Sequence, residues 1–327
     1  MAATGTTLDA DFVRAADPYR RELLAHCYRM LGSVHAAEDL VQETYIRAWR
    51  GYDRFEGRSS LRTWLHQIAT RACLTALDGR SKRPLPTGLG APGSQAGDEL
   101  VEQPEVPWLE PIPDAMTENS SDPASIVAAR ESLRLAMVAA MQYLPPRQRA
   151  VLVLRDVLGW RAAEVAELLE TTTVAVNSTL QRARAQLETI SPTADAITEP
   201  TDVKQRELLD RFVTAMENKD ISAIVSVFST DAVWEMPPFI GWYQGAENIG
   251  ALIDTQCPAQ GPGDMKLVPT MANGQPAFGL YMLDGDTYRP FNMPVLTLGP
   301  DGITHVACFF DLSLFETFGL PSSIPAL

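Results

Sequence analysis

Residues 171–188 gather side chains able to read the edge of a base, and they do so on one side of a helical repeat. At 100° per residue, Val176, Leu180, Ala183 and Leu187 fall on one narrow apolar face that must pack inward. Val174, Ser178, Gln181, Arg182 and Ala185 fall opposite, flanked by Asn177, Arg184 and Glu188. Asn and Gln offer the paired donor and acceptor that fit adenine, and Arg fits guanine or phosphate. Thr171, Thr172 and Thr173 stand at the helix start, where hydroxyls and free backbone N–H groups suit a phosphate. The alternative is a plain helical hairpin with a solvated face.

A second cluster lies at 52–66, where Tyr52, Arg54, Phe55, Arg58, Arg62, Trp64 and His66 interleave aromatic rings with cations. Stacking on rings beside a basic track is how single-stranded nucleic acid is held, and an extracted base needs such a pocket. Trp64 falls on an apolar stripe and reads as core, and His66 reads as a surface helix residue. Arg58, Ser59, Ser60 and Arg62, in a loop and first turn, are the better candidates.

The elements that must position these clusters are helices. Gly32 follows the apolar run Leu23, Leu24, Cys27, Met30, Leu31 and suits a left-handed cap; Ser33 suits the cap of the next helix. In that helix Val34, Ala37, Val41, Thr44 and Ala48 form a buried stripe, with Asp39, Gln42, Glu43, Ile46 and Arg50 opposite and Trp49 at the edge. Gly51 and Gly57 bracket a loop. A third helix starts at Ser60, with the stripe Leu61, Trp64, Leu65, Ile68 and Ala72, and ends at Gly79. Residues 81–125 hold eight prolines, a density that prevents helices, and read as an extended acidic linker. Pro145 and Pro146 suit the first turn of another helix. A short helix at 161–169, a turn at 170–172 and a longer helix at 173–188 give the helix-turn-helix layout. Beyond 203 two helices (204–218, 221–229), a strand at 233–236, a helix at 246–256 and two hairpins follow. The hairpins turn at Asn273-Gly274 and at Pro300-Asp301-Gly302. The pattern is an α+β domain with an antiparallel sheet.

The chain has 327 residues, enough for two or three domains. Its formal net charge of −14 is unevenly spread. Residues 1–80 hold 11 Lys and Arg against 10 Asp and Glu, and residues 126–190 hold 8 against 6. Residues 81–125 hold 2 against 8, and residues 191–327 hold 6 against 17. Two near-neutral modules are thus split by an acidic segment and followed by an acidic domain. Few phosphates can be neutralised, so affinity for bare DNA is expected to be weak and a partner must supply the rest. Four separated cysteines with no C-x-x-C spacing argue against a structural zinc and a disulfide framework; no metal or cofactor is expected. No apolar run of about 18 residues exists and the stretch MAATGTTLDADF lacks the basic and apolar runs of a signal peptide, so a cytoplasmic protein is expected.

HCYRMLGSVHAAEDLVQETYIRAWRGYDRFEGRSSLRTWLHQIATRACL resembles region 2 of an extracytoplasmic-function (ECF) sigma factor of the sigma-70 family, and MQYLPPRQRAVLVLRDVLGWRAAEVAELLETTTVAVNSTLQRARAQL resembles region 4. RFVTAMENKDISAIVSVFSTDAVWEMPPFIGWYQGAENI is similar to the opening of a SnoaL-like domain of the NTF2-like fold. The whole arrangement is similar to SigG-type sigma factors. The fold implied is multidomain: an all-α region 2 bundle at 10–80, the linker at 81–125, an all-α region 4 at 126–190, and an α+β NTF2-like cone at 204–327. The resemblance implies that Asp39, Gln42, Glu43 and Arg50 bind the clamp helices of the polymerase β′ subunit. It implies that Arg58, Ser59, Ser60, Arg62 and Thr63 read and help melt the −10 element. Thr172, Thr173, Asn177, Ser178, Gln181, Arg182 and Arg184 would read the −35 element, with region 4 also touching the β flap. Many ECF factors carry lysine where Asn177 stands, PWLEPIPD (107–114) alters the order of a WLPEP motif, and NGQPAF (273–278) replaces a DGGGR motif.

SnoaL-like domains are cones with an apolar pocket. The resemblance makes Trp234, Met236, Trp242, Tyr243 and Tyr281 candidates for lining it, with His305 and Asp311 on one face of the last strand by alternation. An Asp in an apolar pocket can act as a base, but fold does not confer function. A regulatory tail is the expected role, through a small ligand or through docking on region 2 or the linker. Two other readings remain: a helix-turn-helix regulator that works without polymerase, and a SnoaL-type enzyme fused to helical domains.

Overall fold

A computed structural model describes residues 11–57, 59–89, 94–117, 130–190 and 203–326. They form two units. The first gathers the described residues up to Arg83 and from Leu109 to Ile190; the second gathers Pro84–Trp108 and those from Val203 onward.

The first unit turns on Gly32. Helix α1 (Arg20–Leu31) ends there in the left-handed region, at φ 68°. Ser33 then caps α2 (Val34–Gly51), its Oγ accepting the Ala36 N–H at 3.1 Å, a contact worth about 1 kcal/mol. Val34, Ala37, Leu40, Val41, Thr44 and Ala48 form the buried seam of α2. Ser60 caps α3 (Leu61–Leu77) in the same way, through the Thr63 N–H at 3.1 Å.

The buried face of α3 is Leu65, His66, Ala69, Thr70, Ala72 and Cys73, rotated from the stripe that periodicity suggests. His66 is fully buried rather than on the surface. Its ring meets His26 edge-on at 5.5 Å and lies 6.3 Å from Trp160, so a segment distant in sequence covers a second side of the helix. Thr70 Oγ1 donates to the His66 carbonyl at 2.7 Å and so must accept from His26 Nε2 at 2.9 Å. Burial, with the charges of His66 and Arg29, pushes the His26 imidazole well below its usual pKa, which keeps it neutral.

The segment that resembles region 4 comprises α4 (Leu135–Met141), α5 (Pro146–Leu152) running into a π turn (Val153–Val157), α6 (Ala162–Leu168) and α7 (Thr173–Ile190). Arg149 of α5 is buried. Its guanidinium donates to the Met30 carbonyl, to Gln142 Oε1 at 2.8 Å and to the Gln142 and Leu144 carbonyls at 3.0 and 3.2 Å. Burial lowers its pKa to about 10, so it stays a cation at neutral pH. Lys82 sits 4.0 Å over the Tyr143 ring, and Arg29 Nε donates to Ser132 Oγ at 2.9 Å.

The proline-rich segment is more ordered than an extended linker. Leu109 and Ile112 are fully buried in the first unit. Between them Glu110 donates its N–H to the Gly32 carbonyl at 3.0 Å, and its own carbonyl accepts from the Tyr28 hydroxyl at 2.7 Å. Its carboxylate takes Ser33 Oγ at 2.8 Å, His35 Nδ1 at 3.0 Å and Arg83 at 3.2 Å. The preceding stretch, Pro84–Trp108, packs in the second unit.

In the second unit α8 (Val203–Glu217), α9 (Ile221–Val227) and α10 (Ala246–Gln256) accompany seven strands. These are β1 (Phe228–Glu235), β2 (Trp242–Gln244), β3 (Met265–Ala272), β4 (Gln275–Asp284), β5 (Thr287–Gly299), β6 (Gly302–Phe309) and β7 (Ile324–Pro325), with a short α11 (Ser313–Thr317) before the last. The order is β2-β1-β6-β5-β4-β3, with β7 on β5. The sheet is mixed, not antiparallel throughout, because β1 and β6 run parallel. Both Asn273 and Gly274 have positive φ, as a two-residue hairpin turn requires. Phe212, Phe228, Trp234, Tyr243, Phe278, Leu296 and Val306 form the core of this unit.

A Cβ on Gly32 would stand 2.8 Å from Leu109 Cδ1 and 3.0 Å from Gln142 Cδ. With the left-handed φ added, Gly32→Ala is expected to lower stability by more than about 1 kcal/mol in urea denaturation. A second expectation concerns pH. His26 is neutral when folded and titrates near 6.5 when unfolded, so its contribution is intact above about pH 6.5 and is lost as pH falls below it. The melting temperature should drop between pH 7.5 and 5.5, and His26→Gln should flatten that slope.

Candidate nucleic-acid interface

The turn before α7 places Glu170 at φ 53°, and Thr172 Oγ1 accepts the Ala175 N–H at 3.1 Å, so the Thr172 hydroxyl caps the helix. Val176, Leu180 and Ala183 are buried and Leu187 is half-buried. Thr173, Asn177, Ser178, Gln181 and Arg182 are exposed on the outer side, with Val174 77% exposed beside them. Arg182 donates to Thr179 Oγ1 at 3.2 Å. Arg184 does not share that outward role in this structure. Its guanidinium forms a two-point pair with Asp156 at 2.9 and 2.7 Å, tying α7 to the π turn. The pair is half exposed and so worth at most about 1 kcal/mol, which a phosphate could displace.

On α2 the exposed side carries Asp39, Gln42, Arg50 and the half-exposed Ile46 and Trp49, at 50% and 49%. Glu43 stands there too, paired with Arg47 at 2.6 Å. Two large apolar side chains between polar and charged ones mark a surface suited to another protein.

Arg58 lies outside the described residues. Ser60 and Thr63 are occupied in starting α3: Ser60 Oγ is the cap and lies 2.9 Å from Thr63 Oγ1. Arg62 turns back to α1, where its Nε donates to Glu22 Oε2 at 2.9 Å, and this bond raises its pKa. Ser59 is half-buried. Beside them Tyr52, Phe55 and Trp64 form a stack, with centroids 6.4 and 4.8 Å apart. Trp64 is therefore a half-buried end of a ring stack rather than a core residue, and its indole packs against Gly51.

The described structure places the residues considered for an apolar pocket in the second unit in several different surroundings. Trp234, Met236 and Tyr243 are buried in the helix-facing core, and Trp242 is half-buried. Tyr281 packs on Phe315 of α11 and donates to the Pro321 carbonyl at 2.7 Å. His305 Nε2 lies 2.7 Å from Glu235 Oε1. Strand β6 ends at Phe309, so Asp311 is off the strand and exposed, accepting the Ser313 N–H and hydroxyl at 3.0 and 2.6 Å. A groove of about 300 Å³ between α8 and α9, lined by Asp210, Arg211, Asn218 and Asp220 among others, holds none of these residues. Sequence reasoning missed Glu235, a fully buried carboxylate. Its one signal was alternation, which aims it away from Trp234.

Among the described residues no helix is long and apolar enough to cross a membrane. Residues 16–83 match the Sigma-70 region 2 family, 134–187 match Sigma-70, region 4, and 209–305 match the SnoaL-like domain. The chain is 58% identical over 315 residues to the ECF RNA polymerase sigma factor SigG of Mycobacterium tuberculosis, covering 96% of this chain and 85% of that one. It is 28% identical over 251 residues to SigJ of the same organism, covering 75% and 72%. The crystal structure of Mycobacterium tuberculosis SigJ shares the fold, with a TM-score of 0.60 at 23% identity over 92% of this chain and 97% of that one. With regions 2 and 4 in order along one chain, and a SnoaL-like domain after them, this protein belongs to the ECF RNA polymerase sigma factors.

Proposed function

We propose that the protein binds core RNA polymerase and brings it to promoters in the cytoplasm, and that its C-terminal domain regulates this rather than catalysing a reaction. The observation that carries the first part is the outer side of α2, where exposed Ile46 and Trp49 stand among Asp39, Gln42, Glu43 and Arg50. A repressor acting alone has no use for this surface; the β′ clamp helices are the partner assigned to it. Ser59–Thr63, with Arg58 and the neighbouring ring stack, would engage the −10 element, Arg62 exchanging its carboxylate for DNA. The outer side of α7 would read the −35 element through Asn177, Ser178, Gln181 and Arg182, with Thr172, Thr173 and Arg184 at phosphates and the β flap alongside. The near-neutral charge of both modules leaves most of the affinity for DNA to polymerase.

The regulatory reading of the second unit rests on its hold on residues 84–108. A polymerase-binding assay joined to run-off transcription tests the whole. Gln42→Ala with Ile46→Ala should weaken the complex with core at least about tenfold, with little change in melting. Asn177→Ala or Gln181→Ala should leave core binding intact and cost about 1–3 kcal/mol of discrimination at single −35 positions. Absence of any core complex, with specific binding to promoter DNA by the chain alone, would make it a freestanding regulator.

A further inference from the structure

Helices α1 and α3 run side by side in the same direction, and their contacts climb both helices in step. Glu22 of α1 accepts from Arg62 Nε of α3 at 2.9 Å, and one turn on, His26 Nε2 meets Thr70 Oγ1 at 2.9 Å. The next pair along the seam is Cys27 with Cys73, whose thiols share a hydrogen bond. Both are free thiols, and both are wholly buried, at 0% exposure. Beside Cys73 the buried face of α3 carries Ala69 and Ala72, side chains small enough for two helices to approach closely. A disulfide needs Cα atoms within about 7 Å of each other, which a seam of small side chains provides. Neither cysteine belongs to the surfaces proposed above for polymerase and DNA.

Arg149 closes one end of this seam. Met30, whose carbonyl accepts from Arg149 Nη1, lies one turn beyond Cys27 on α1. The Arg149 guanidinium is also near enough to Cys73 for each to bear on the ionisation of the other. Arg149 belongs to α5, so the two thiols lie under a segment distant from them in sequence. Closed in this way they are unreactive. The hydrogen bond to Cys27, and then burial, push the Cys73 thiol well above its usual pKa, and the Arg149 cation opposes them only in part. The nucleophile in thiol chemistry is the thiolate, which this setting suppresses.

We propose that Cys27 and Cys73 are a two-thiol modification site, which a peroxide converts to a disulfide once α5 and its Arg149 lift from the seam. One sulfur attacks a peroxide oxygen, the O–O bond breaks, and that sulfur becomes a sulfenic acid as water leaves. The second thiol attacks the sulfenic sulfur, the S–S bond forms, and a second water leaves. Hydrogen peroxide takes up both electrons, and both thiol protons end in water. The bond joins the helix that ends at the seat of Arg149 to the helix that Ser60 caps, and so ties region 2 from within. The gate follows from the packing. With Arg149 seated the thiols meet no oxidant; with it lifted, one end of the seam is open to water and the burial that suppresses the thiolate is relieved.

The test is hydrogen peroxide treatment of the full chain as wild type, Arg149→Lys and Arg149→Met. Alkylation, digestion and mass spectrometry then follow the peptide pair linked through Cys27 and Cys73. Linking should be slow in the wild type and at least about tenfold faster in Arg149→Met. Arg149→Lys keeps the charge with fewer donors, so it should fall between, and it stands in for Arg149→Met if that variant does not fold. Alkylation of Cys257, half-buried in the second unit, should be the same in all three. Adding Cys27→Ser to the opened variant should abolish the linked pair and leave Cys73 to be trapped by dimedone as a sulfenic acid. Core polymerase with promoter DNA should also speed linking in the wild type at least about tenfold, and this arm alone rests on the promoter reading above. No linked pair from any form would overturn the site. Linking at one rate in all three forms would overturn the gate. Faster linking in the variants, with no effect of polymerase, would count against the promoter reading and leave the site standing.

Discussion

The first unit depends on a guanidinium buried among carbonyls. Arg149 reaches from α5 to the end of α1 and completes the bonding of Met30, Gln142 and Leu144. A cation there is costly to bury and would be costly to leave unpaired, so the two regions can pack only in a geometry that presents those oxygens. Gly32 makes that geometry available. Its left-handed turn clears room for Leu109 and Gln142 to approach the same corner, and the Glu110 backbone then bonds to the carbonyl of Gly32 itself. Region 2, the linker and region 4 meet at a single glycine.

Polar latches of this kind suit a protein that must rearrange. An apolar interface loses its stabilisation when it opens, because water gains nothing from the surface. Arg149, Arg29, Lys82 and Glu110 all regain hydration on separation, so opening costs less than the number of contacts suggests. The surfaces proposed for polymerase and DNA carry the complementary signature. On α2 two large apolar side chains stay exposed, and on α7 Thr173, Asn177, Ser178, Gln181 and Arg182 face outward.

Features set within a few residues were legible in the sequence: the Gly32 stop, the Ser33 and Ser60 caps, the Asn273-Gly274 hairpin and the inward face of α7. Each follows from local backbone chemistry or from a helical period. What the sequence hid was set over long separations. His66 looked like a surface residue because its covering partner, Trp160, lies in another region. Arg149 and Glu110 drew no notice because their partners lie as much as 119 and 82 residues away. Among the described residues of 81–117 the linker holds only two short 3-10 turns, at Pro86–Leu89 and Asp114–Met116, yet proline density says nothing of whether an extended backbone is bound, and there much of it is. Asp311 was drawn into the last strand by alternation, which continues on paper past the point where β6 stops pairing. The candidate DNA residues were found by type and spacing, but two arginines among them, Arg62 and Arg184, were already engaged by Glu22 and Asp156.

Regions 2 and 4 are expected to pack together in the free protein and to part when it works on a promoter. The direct measurement is the distance between spin labels at exposed sites on α2 and α7, taken first on the chain alone and then with core polymerase and promoter DNA. The expected result is a short distance alone, within the roughly 40 Å span of a unit this size, and a long one, on the order of 85 Å, in the promoter complex. A distance that stays short while transcripts are being made would contradict it.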